Sequence, residues 1–308
     1  MSVIGFVGLG TMGGRIAGRL LASGHDVHAT NRTVAKAQPL IDRGLWWHAT
    51  PREVAAAADI VFSMVSDDAA LEAITGGPDG ILAGLTPGAV YVDMSTVSPA
   101  VGVGIAERAR AVGAWMLDAP VSGSVPQAET GTLTIMVGGD EVAFRLVEPL
   151  LRELGQSVTR VGENGQGLVL KLAINISLAV QTLAFSEGLV LAERGGIDAR
   201  LAARVMSESS IGSPMLRTRV PLLLDLPENA WFDVELMHKD ILLALQAATA
   251  LGVTLPSAAT AEDMLAKARE LGYGERDIAA LHQVLGRLGG TDTDQDEHPT
   301  VEPALARG

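Results

Sequence analysis

The sequence contains no cysteine, which excludes disulfide bonds, thiolate metal sites and a cysteine nucleophile. Its six histidines show no spacing of the HExxH kind, and we predict no metal site. Basic residues are few, since 23 lysines and arginines stand against 36 acidic residues and give a net charge of -13. Because nucleic acids and anionic membranes are bound by basic surfaces, neither is an expected partner.

The amino terminus also lacks the basic segment of a signal peptide, and MSVIGFVGLG is typical of a buried strand. We therefore expect a cytoplasmic protein. The 308 residues are 48% hydrophobic and 19% charged, which excludes wholesale disorder and is enough chain for two domains.

Short apolar runs alternate with helical stretches through residues 1–162. These runs are too apolar for half-exposed strands and favour parallel strands covered by helices on both faces. The alternation predicts an α/β fold that begins with a doubly wound, Rossmann-type dinucleotide-binding domain over residues 1–162. The predicted strands cover residues 3–7, 26–30, 60–65, 89–93, 115–118, 133–137 and 157–161.

The second half, residues 163–288, is predicted to be an all-α domain. A nearly continuous apolar run over 166–194 predicts a helix of roughly 40 Å that links the two domains. A membrane span has similar length, but polar residues interrupt the run and its flanks are not basic, so we interpret it as a central buried helix. Further helices are predicted over 198–209, 214–224, 233–251, 259–271 and 275–288. Residues 289–308 are acidic and are predicted to form a disordered tail.

A glycine-rich turn of the GxGxxG pattern follows the first predicted strand and opens an amphipathic helix. In that setting, backbone N–H groups and the helix dipole hold a pyrophosphate. The predicted cofactor-binding residues of this turn are Gly8, Gly10, Thr11, Met12 and Gly13. A tight strand–helix turn without a ligand is the alternative.

The end of the second predicted strand indicates which cofactor is preferred. NAD sites usually place an acidic residue here, whereas this chain has Asn31, Arg32 and Thr33. No carboxylate repels a 2′-phosphate, and the guanidinium of Arg32 suits one. We predict NADP as the preferred cofactor, with NAD possible; alternatively, Arg32 is only a solvated residue at a helix start.

Together with the glycine-rich turn, three later blocks resemble the β-hydroxyacid dehydrogenase family. The blocks are residues 118–123, residues 162–167 with Lys171 and Asn175 beyond them, and residues 232–240. The family includes 3-hydroxyisobutyrate dehydrogenase, tartronate semialdehyde reductase and glyoxylate/succinic semialdehyde reductase. The Asn31-Arg32-Thr33 stretch is most similar to its NADPH-dependent reductase branch, and the resemblance covers residues 2–288.

The resemblance implies an oxidoreductase that interconverts a short β-hydroxyacid and its semialdehyde or keto acid with NADP(H). It makes Lys171 the general acid in reduction and the general base in oxidation, with Asn175 holding the substrate or the lysine. The two residues are four apart and so share one helix face. A lysine in an apolar helix is costly unless it is paired, exposed or functional, and desolvation lowers its pKa. The alternative is that Lys171 extends to solvent.

The resemblance also assigns the remaining contacts. Ser122 and Gly123 are implied to bind the substrate carboxylate. The chain departs from the family pattern at Ser124, where members often have a second glycine, and at Ile174, where some members have asparagine. Lys239 is implied to close over cofactor or substrate, the alternative being an ordinary exposed charge. The other cofactor-binding candidates are Met64, Val65, Ser66, Ser95 and Thr96. Trp231, Phe232, Met237 and His238 belong either to the pocket wall or to the core.

Two other functions remain open at this point. One is an imine reductase of the same fold, although those enzymes commonly replace the lysine with aspartate or tyrosine. The other is a non-catalytic cofactor-binding scaffold. The apolar second half and the resemblance predict a homodimer or homotetramer that acts on a small carboxylate-bearing substrate.

Overall fold

The computed structural model describes residues 2–289, so the predicted tail lies outside the described residues except for Gly289, which ends the last helix. The strands are β1 (Val3–Val7), β2 (Asp26–Thr30), β3 (Trp46–Trp47), β4 (Ile60–Ser63), β5 (Val90–Asp93), β6 (Trp115–Asp118), β7 (Val121–Ser122), β8 (Leu133–Gly138) and β9 (Gly155–Gly162). The helices among them are α1 (Gly13–Ala22), α2 (Gln38–Ile41), α3 (Pro51–Ala56), α4 (Asp68–Thr75), α5 (Ile81–Gly84), α6 (Pro99–Ala111), α7 (Val125–Thr130) and α8 (Glu141–Leu154).

These strands form one sheet in the order β3-β2-β1-β4-β5-β6-β8-β7, with β9 beside β8. The first six pair in parallel, in the doubly wound order that the sequence predicts. The sheet is not wholly parallel, however, because β8 runs antiparallel to β6 and β7. Only residues 123–132 separate β7 from β8, so the chain reverses without a full crossover helix.

The core lies on both faces of this sheet, and alternate strand residues contribute to each side. On β5, Val90 and Val92 pack with α1 and α8, whereas Tyr91 packs on the opposite face with α6. All three side chains are buried. Burial on both faces explains why the strands appear in the sequence as continuous apolar runs.

The second half is all-α, as predicted. It contains α9 (Gln166–Arg194), α10 (Ala199–Glu208), α11 (Pro214–Leu224), α12 (Val234–Leu251), α13 (Pro256–Glu270) and α14 (Leu281–Leu288). The helix predicted over 275–288 is shorter, because Asp277 has extended backbone and accepts the Ala279 N–H, after which a 3-10 turn leads into α14. Helix α13 begins earlier than predicted, at Pro256, which suits a first helical position.

Helix α9 contacts each of α10 to α14 and also the strands β6 to β9. By length and composition it is apolar enough to cross a membrane, but 39% of its most apolar window is already buried within this single chain. It therefore serves as the central helix of the second half, with one side left uncovered by its own chain.

The start of α9 is tied to the sheet by the buried carboxylate of Asp118, at the end of β6. Asp118 accepts hydrogen bonds from the Gly165 N–H (2.8 Å) and the Leu168 N–H (3.2 Å). A Cβ atom on Gly167 would lie 2.7 Å from both an Asp118 carboxylate oxygen and the Met136 carbonyl oxygen, so this position requires glycine. These contacts fix where α9 leaves the sheet, and with it the position of Lys171.

Candidate active site

The glycine-rich turn has the geometry of a pyrophosphate cradle. Gly8 has a φ of +98°, and a Cβ atom there would collide with the Met64 carbonyl oxygen. A Cβ on Gly13 would collide with the Gly8 carbonyl oxygen, whereas a Cβ on Gly10 would meet nothing within 4 Å. Gly8 and Gly13 thus make the turn tight, and Gly10 leaves open space at the start of α1, where a diphosphate fits.

The end of β2 is fastened to this turn. Asn31 accepts the Leu9 N–H through Oδ1 (3.0 Å) and donates from Nδ2 to the Thr33 carbonyl (2.9 Å). Arg32 is exposed, and its side chain has no hydrogen bond or ion pair with any residue in the range 2–289. Its guanidinium is therefore free to meet an anion beside the cradle.

Of the predicted cleft residues at the ends of β4 and β5, some line the cleft and others do not. Met64 and Thr96 line the cleft, whereas Ser66 is exposed and donates to Asp67. Ser95 is buried, accepts the Val65 N–H (2.9 Å) and donates to Asp93 Oδ1 (2.7 Å). Its side chain thus joins the two strand ends and does not line the cleft.

Asp93 is a fully buried carboxyl that the sequence analysis did not single out. Ser63 also donates to its Oδ1 (2.6 Å), while Oδ2 has no hydrogen-bond partner. Burial raises the pKa of Asp93 to about 6, and hydrogen bonds from Ser63 and Ser95 oppose that rise. The feature of the sequence that could have identified Asp93 is an acidic residue at the end of an otherwise apolar strand.

A cleft of about 430 Å³ lies between the carboxyl edge of the sheet and helices α9, α11 and α12. Seven of the predicted site residues line it: Met12, Met64, Thr96, Ser122, Gly123, Lys171 and Asn175. The other predicted residues lie outside its lining: Gly8, Gly10, Thr11, Gly13, Asn31, Arg32 and Thr33 around the cradle, and Val65, Ser66, Ser95 and Lys239 beside it.

Ser122 and Gly123 reach the cleft through the short strand β7. The Ser122 hydroxyl has no hydrogen-bond partner in the part of the chain that the structure describes. Gly123 has a φ of +130°, and a Cβ atom there would lie 2.8 Å from Leu133 Cδ2. The Ser122 hydroxyl is therefore available to a ligand, next to a backbone turn that only glycine fits.

Lys171 is the most unusual charge in the cleft. It is 9% exposed, and its ammonium has no hydrogen bond to any residue between 2 and 289. Burial lowers the pKa of Lys171 to about 8; the negative charge of Asp240 opposes this fall, and the positive charge of Lys239 adds to it. Such an amine exchanges protons near neutral pH, as a general acid or base must.

Asp240 connects Lys171 with its surroundings and is a site residue that the sequence analysis missed. Asn175 donates to Asp240 Oδ2 (2.5 Å), and Lys239 Nζ lies 2.9 Å from Asp240 Oδ1. Lys239 also donates to the Thr96 carbonyl (2.5 Å), which joins α12 to the loop after β5. The block 232–240 contained Asp240, but nothing local distinguished it from an exposed neighbour of Lys239.

A second buried network forms the opposite wall of the cleft. Asp277 accepts from Arg219 Nη1 (2.9 Å) and from the N–H groups of Trp231 (3.0 Å) and Phe232 (3.2 Å). Arg219, Trp231 and Phe232 all line the cleft. Ser124 donates to the Trp231 carbonyl (3.3 Å), so the residue that replaces a family glycine links the two walls.

Comparison with known proteins identifies two family profiles in the chain. The profile described as the NAD binding domain of 6-phosphogluconate dehydrogenase matches residues 3–162. The profile described as NAD-binding of NADP-dependent 3-hydroxyisobutyrate dehydrogenase matches residues 165–285. The two matches together cover both halves of the structure.

Relatives of similar length support the same family. The chain is 37% identical to 2-hydroxy-3-oxopropionate reductase of Escherichia coli, over 92% of this chain and 96% of that protein. It is 33% identical to glyoxylate/succinic semialdehyde reductase 2 of Arabidopsis thaliana, over 92% and 79% of the two chains.

Solved structures agree. 3-Hydroxyisobutyrate dehydrogenase of Mycobacterium tuberculosis, solved with L-serine, superimposes with a TM-score of 0.82 at 30% identity and covers 92% of this chain and 99% of its own. An imine reductase from Pseudomonas sp. has a TM-score of 0.62 at 22% identity, which shows a shared fold alone. The chain therefore belongs to the β-hydroxyacid dehydrogenase family of NAD(P)-dependent oxidoreductases.

Proposed function

We propose that this protein uses NADP(H) to interconvert a short β-hydroxyacid and its semialdehyde or keto acid. The observation that carries the proposal is Lys171, a buried ammonium without a hydrogen-bond partner in the described residues, whose pKa is lowered to about 8 in the same cleft as Ser122 and Gly123. The nicotinamide cofactor, when bound, supplies or accepts a hydride at the substrate carbon. In reduction, Lys171 Nζ gives a proton to the carbonyl oxygen, and in oxidation the neutral amine removes the hydroxyl proton.

We assign the substrate carboxylate to Ser122 and Gly123. The free hydroxyl of Ser122 and the close backbone approach at Gly123 suit an anionic oxygen. Asn175 faces the same cleft, and its bond to Asp240 fixes the orientation of its amide. Because the carboxylate is held at one end of the cleft, the substrate oxygen is brought to Lys171. The bound substrate excludes water from the cleft, which makes each polar contact there stronger.

The preference for NADP over NAD rests on the surroundings of the glycine-rich turn. Arg32 is exposed there without a partner in the described part of the chain, and the end of β2 carries no acidic side chain. A 2′-phosphate is therefore attracted by Arg32, whereas the carboxylate that typically holds the free ribose hydroxyls of NAD is missing.

We also propose that the active form is a homodimer or homotetramer in the cytoplasm, without nucleic acid or membrane as a partner. Support comes from the second half, where one side of α9 is uncovered and Leu191 is 75% exposed. Leu251, Val205 and Ile211 are exposed on the same half. A second copy that covers such side chains would remove apolar surface from water.

The test is a screen for oxidation of NADPH and of NADH with glyoxylate, succinic semialdehyde, methylmalonate semialdehyde and tartronate semialdehyde. We expect turnover of at least one, faster with NADPH, and loss of that turnover in Lys171→Met. A cyclic imine is included as a further substrate, because its exclusive reduction would identify an imine reductase. Cofactor binding without any turnover would instead support a scaffold.

A further inference from the structure

Arg219, on α11, is a buried charge that the proposed reaction does not use. It is 6% exposed and lines the cleft beside Trp231 and Phe232. Its Nη1 donates to Asp277 Oδ1 at 2.9 Å. The other guanidinium nitrogens, Nε and Nη2, have no hydrogen-bond partner among residues 2–289. An arginine has five N–H donors, so most of this guanidinium is without a protein partner at the wall of the cleft.

Asp277 is saturated by its neighbours and holds Arg219 in place. Its Oδ1 accepts from Arg219 and the Ala279 N–H, and its Oδ2 accepts from the Trp231 and Phe232 N–H groups. Asp277 itself is fully buried. The pair thus fixes the guanidinium on one side while the edge formed by Nε and Nη2 remains available. That edge matches a carboxylate, which accepts two parallel N–H bonds.

The charges around the cleft favour an anion, and the unused edge of Arg219 offers a contact separate from Ser122 and Gly123. Lys171 and Arg219 bring two positive charges to the lining and Lys239 lies beside it, against the negative charges of Asp240 and of Asp277, which pairs with Arg219, so these five groups together carry one net positive charge. The Nε and Nη2 edge of Arg219 can therefore exchange solvent for a charged acceptor, which would form charge-assisted hydrogen bonds with it.

We propose that Arg219 binds a second anionic group, so that the preferred substrates are β-hydroxyacids and semialdehydes with a further carboxylate on a side arm. This inference rests on the proposed function for the identity of the first carboxylate and the reacting carbon. It makes Arg219 a specificity-determining residue, and it leaves the proton transfer by Lys171 unchanged.

The test compares two unreactive ligands by calorimetry on the NADP-saturated protein. 2-Methylglutarate and 2-methylpentanoate share one carboxylate and differ in whether the side arm ends in a second carboxylate or in a methyl group. We expect the diacid to bind the wild type roughly tenfold to a hundredfold more tightly, the range of a hydrogen-bonded charge pair. In Arg219→Met combined with Asp277→Asn, which leaves no buried charge unpaired, this preference should fall to near one with the monoacid affinity unchanged.

Two further variants serve as controls. Asp277→Asn alone keeps the charge of Arg219 but loosens its position, so the diacid should still bind more tightly than the monoacid, by a smaller factor than in the wild type. Arg219→Lys keeps the ion pair, but an ammonium cannot offer a second bidentate edge, so the preference should fall severalfold. This variant decides the question if the double variant does not fold.

Equal binding of the two ligands to the wild type would overturn the proposal, as would a parallel loss of both affinities in the Arg219 variants, since that is the mark of a structural residue. Turnover is scored separately. Failure of every hydroxyacid and semialdehyde as a substrate would overturn the proposed function, while the ratio of the two affinities would still decide the role of Arg219.

Discussion

The side chain of Asn175 donates a 2.5 Å hydrogen bond to Asp240, and both residues are 2% exposed in the wall of the cleft that holds Lys171. The contact joins α9 to α12 and fixes the amide one helical turn after Lys171. The charge of Asp240 also raises the pKa of Lys171 against the larger effect of burial. One carboxylate thus orients Asn175 and limits the fall in the pKa of Lys171 that burial causes.

Replacement of Lys171 with methionine should lower turnover by on the order of 10²-fold or more, because it removes the group that exchanges a proton with the substrate. The dissociation constant for NADPH, measured by fluorescence titration, should stay nearly unchanged, since the cradle at Gly8 and Gly13 is intact. Lys267→Met, at an exposed ion pair with Glu270, is the matched control. Near-normal turnover of the Lys171 variant would contradict the assignment.

The rate of reduction should depend on pH through Lys171. Its pKa is about 8, and reduction needs the protonated form, so kcat/KM for the semialdehyde should fall as pH rises through that value. Oxidation needs the neutral amine and should rise over the same range.

Asp240→Asn should shift the pH dependence of both reduction and oxidation to lower pH. Asp240 raises the pKa of Lys171, so its removal lowers that pKa, by on the order of one unit for a close opposite charge. Steady-state rates between pH 6 and pH 10 measure the shift. A lower rate with an unchanged pH dependence would mean that Asp240 acts only by positioning Asn175.

Asp93→Asn should stabilise the protein in neutral and alkaline solution. Burial raises the pKa of Asp93 from 3.8 to about 6 in the folded protein, so the folded state binds this proton more tightly than the unfolded chain does. That contribution is present at acid pH and is lost as pH rises through about 6. The free energy of unfolding of the variant, relative to wild type, should therefore increase from pH 4 to pH 7, by up to about 3 kcal/mol.

Urea unfolding at several pH values measures this difference. Asp59→Asn, at an exposed position, controls for the loss of one carboxylate from the chain. A stability difference for Asp93→Asn that does not change between pH 4 and pH 7 would show that the buried carboxyl does not titrate in this range.

Arg32→Asp should change the cofactor preference toward NADH, because it introduces repulsion toward the 2′-phosphate and an acceptor for the ribose hydroxyls. The ratio of kcat/KM for NADPH to that for NADH should fall by on the order of tenfold or more, as expected for the loss of a charge-assisted contact. Arg32→Ala removes the attraction without adding an acceptor, so it should lower kcat/KM for NADPH and leave that for NADH unchanged. A wild type that already prefers NADH would refute the prediction.

Light scattering at micromolar concentration should show a dimer or tetramer, because the uncovered side of α9 and the exposed Leu191 leave apolar surface on the single chain. A chain that ends at Gly290 should keep both assembly and activity, since the acidic residues beyond it offer no apolar surface to bury. A monomer that still turns over substrate would contradict the oligomer.

Local patterns in the sequence were sufficient to predict most elements, whereas the catalytic role of Lys171 was implied by the family resemblance and stays a prediction. The strand Trp115–Asp118 and the helices Pro214–Leu224 and Gln166–Arg194 agree with prediction to the residue. The hydrophobic periodicity that defines an element, and the proline or glycine that bounds it, involve only residues close together in the sequence. The two-residue strands Trp46–Trp47 and Val121–Ser122 were missed, since a strand that short has no period and forms only against a partner.

The amino-acid sequence by itself determined the fold class, the glycine-rich cradle, the absence of an acid after β2 and the lysine on an apolar helix. Tertiary structure alone decided which distant side chains meet: Asn175 with Asp240, 65 residues apart, and Arg219 with Asp277, 58 residues apart. It also delayed the start of the helix predicted over 275–288 to Leu281, because the Asp277 carboxylate binds Arg219 and the Trp231 backbone. Burial sets the proton affinities of Lys171 and Asp93, and burial depends on packing between elements that no local window of sequence contains.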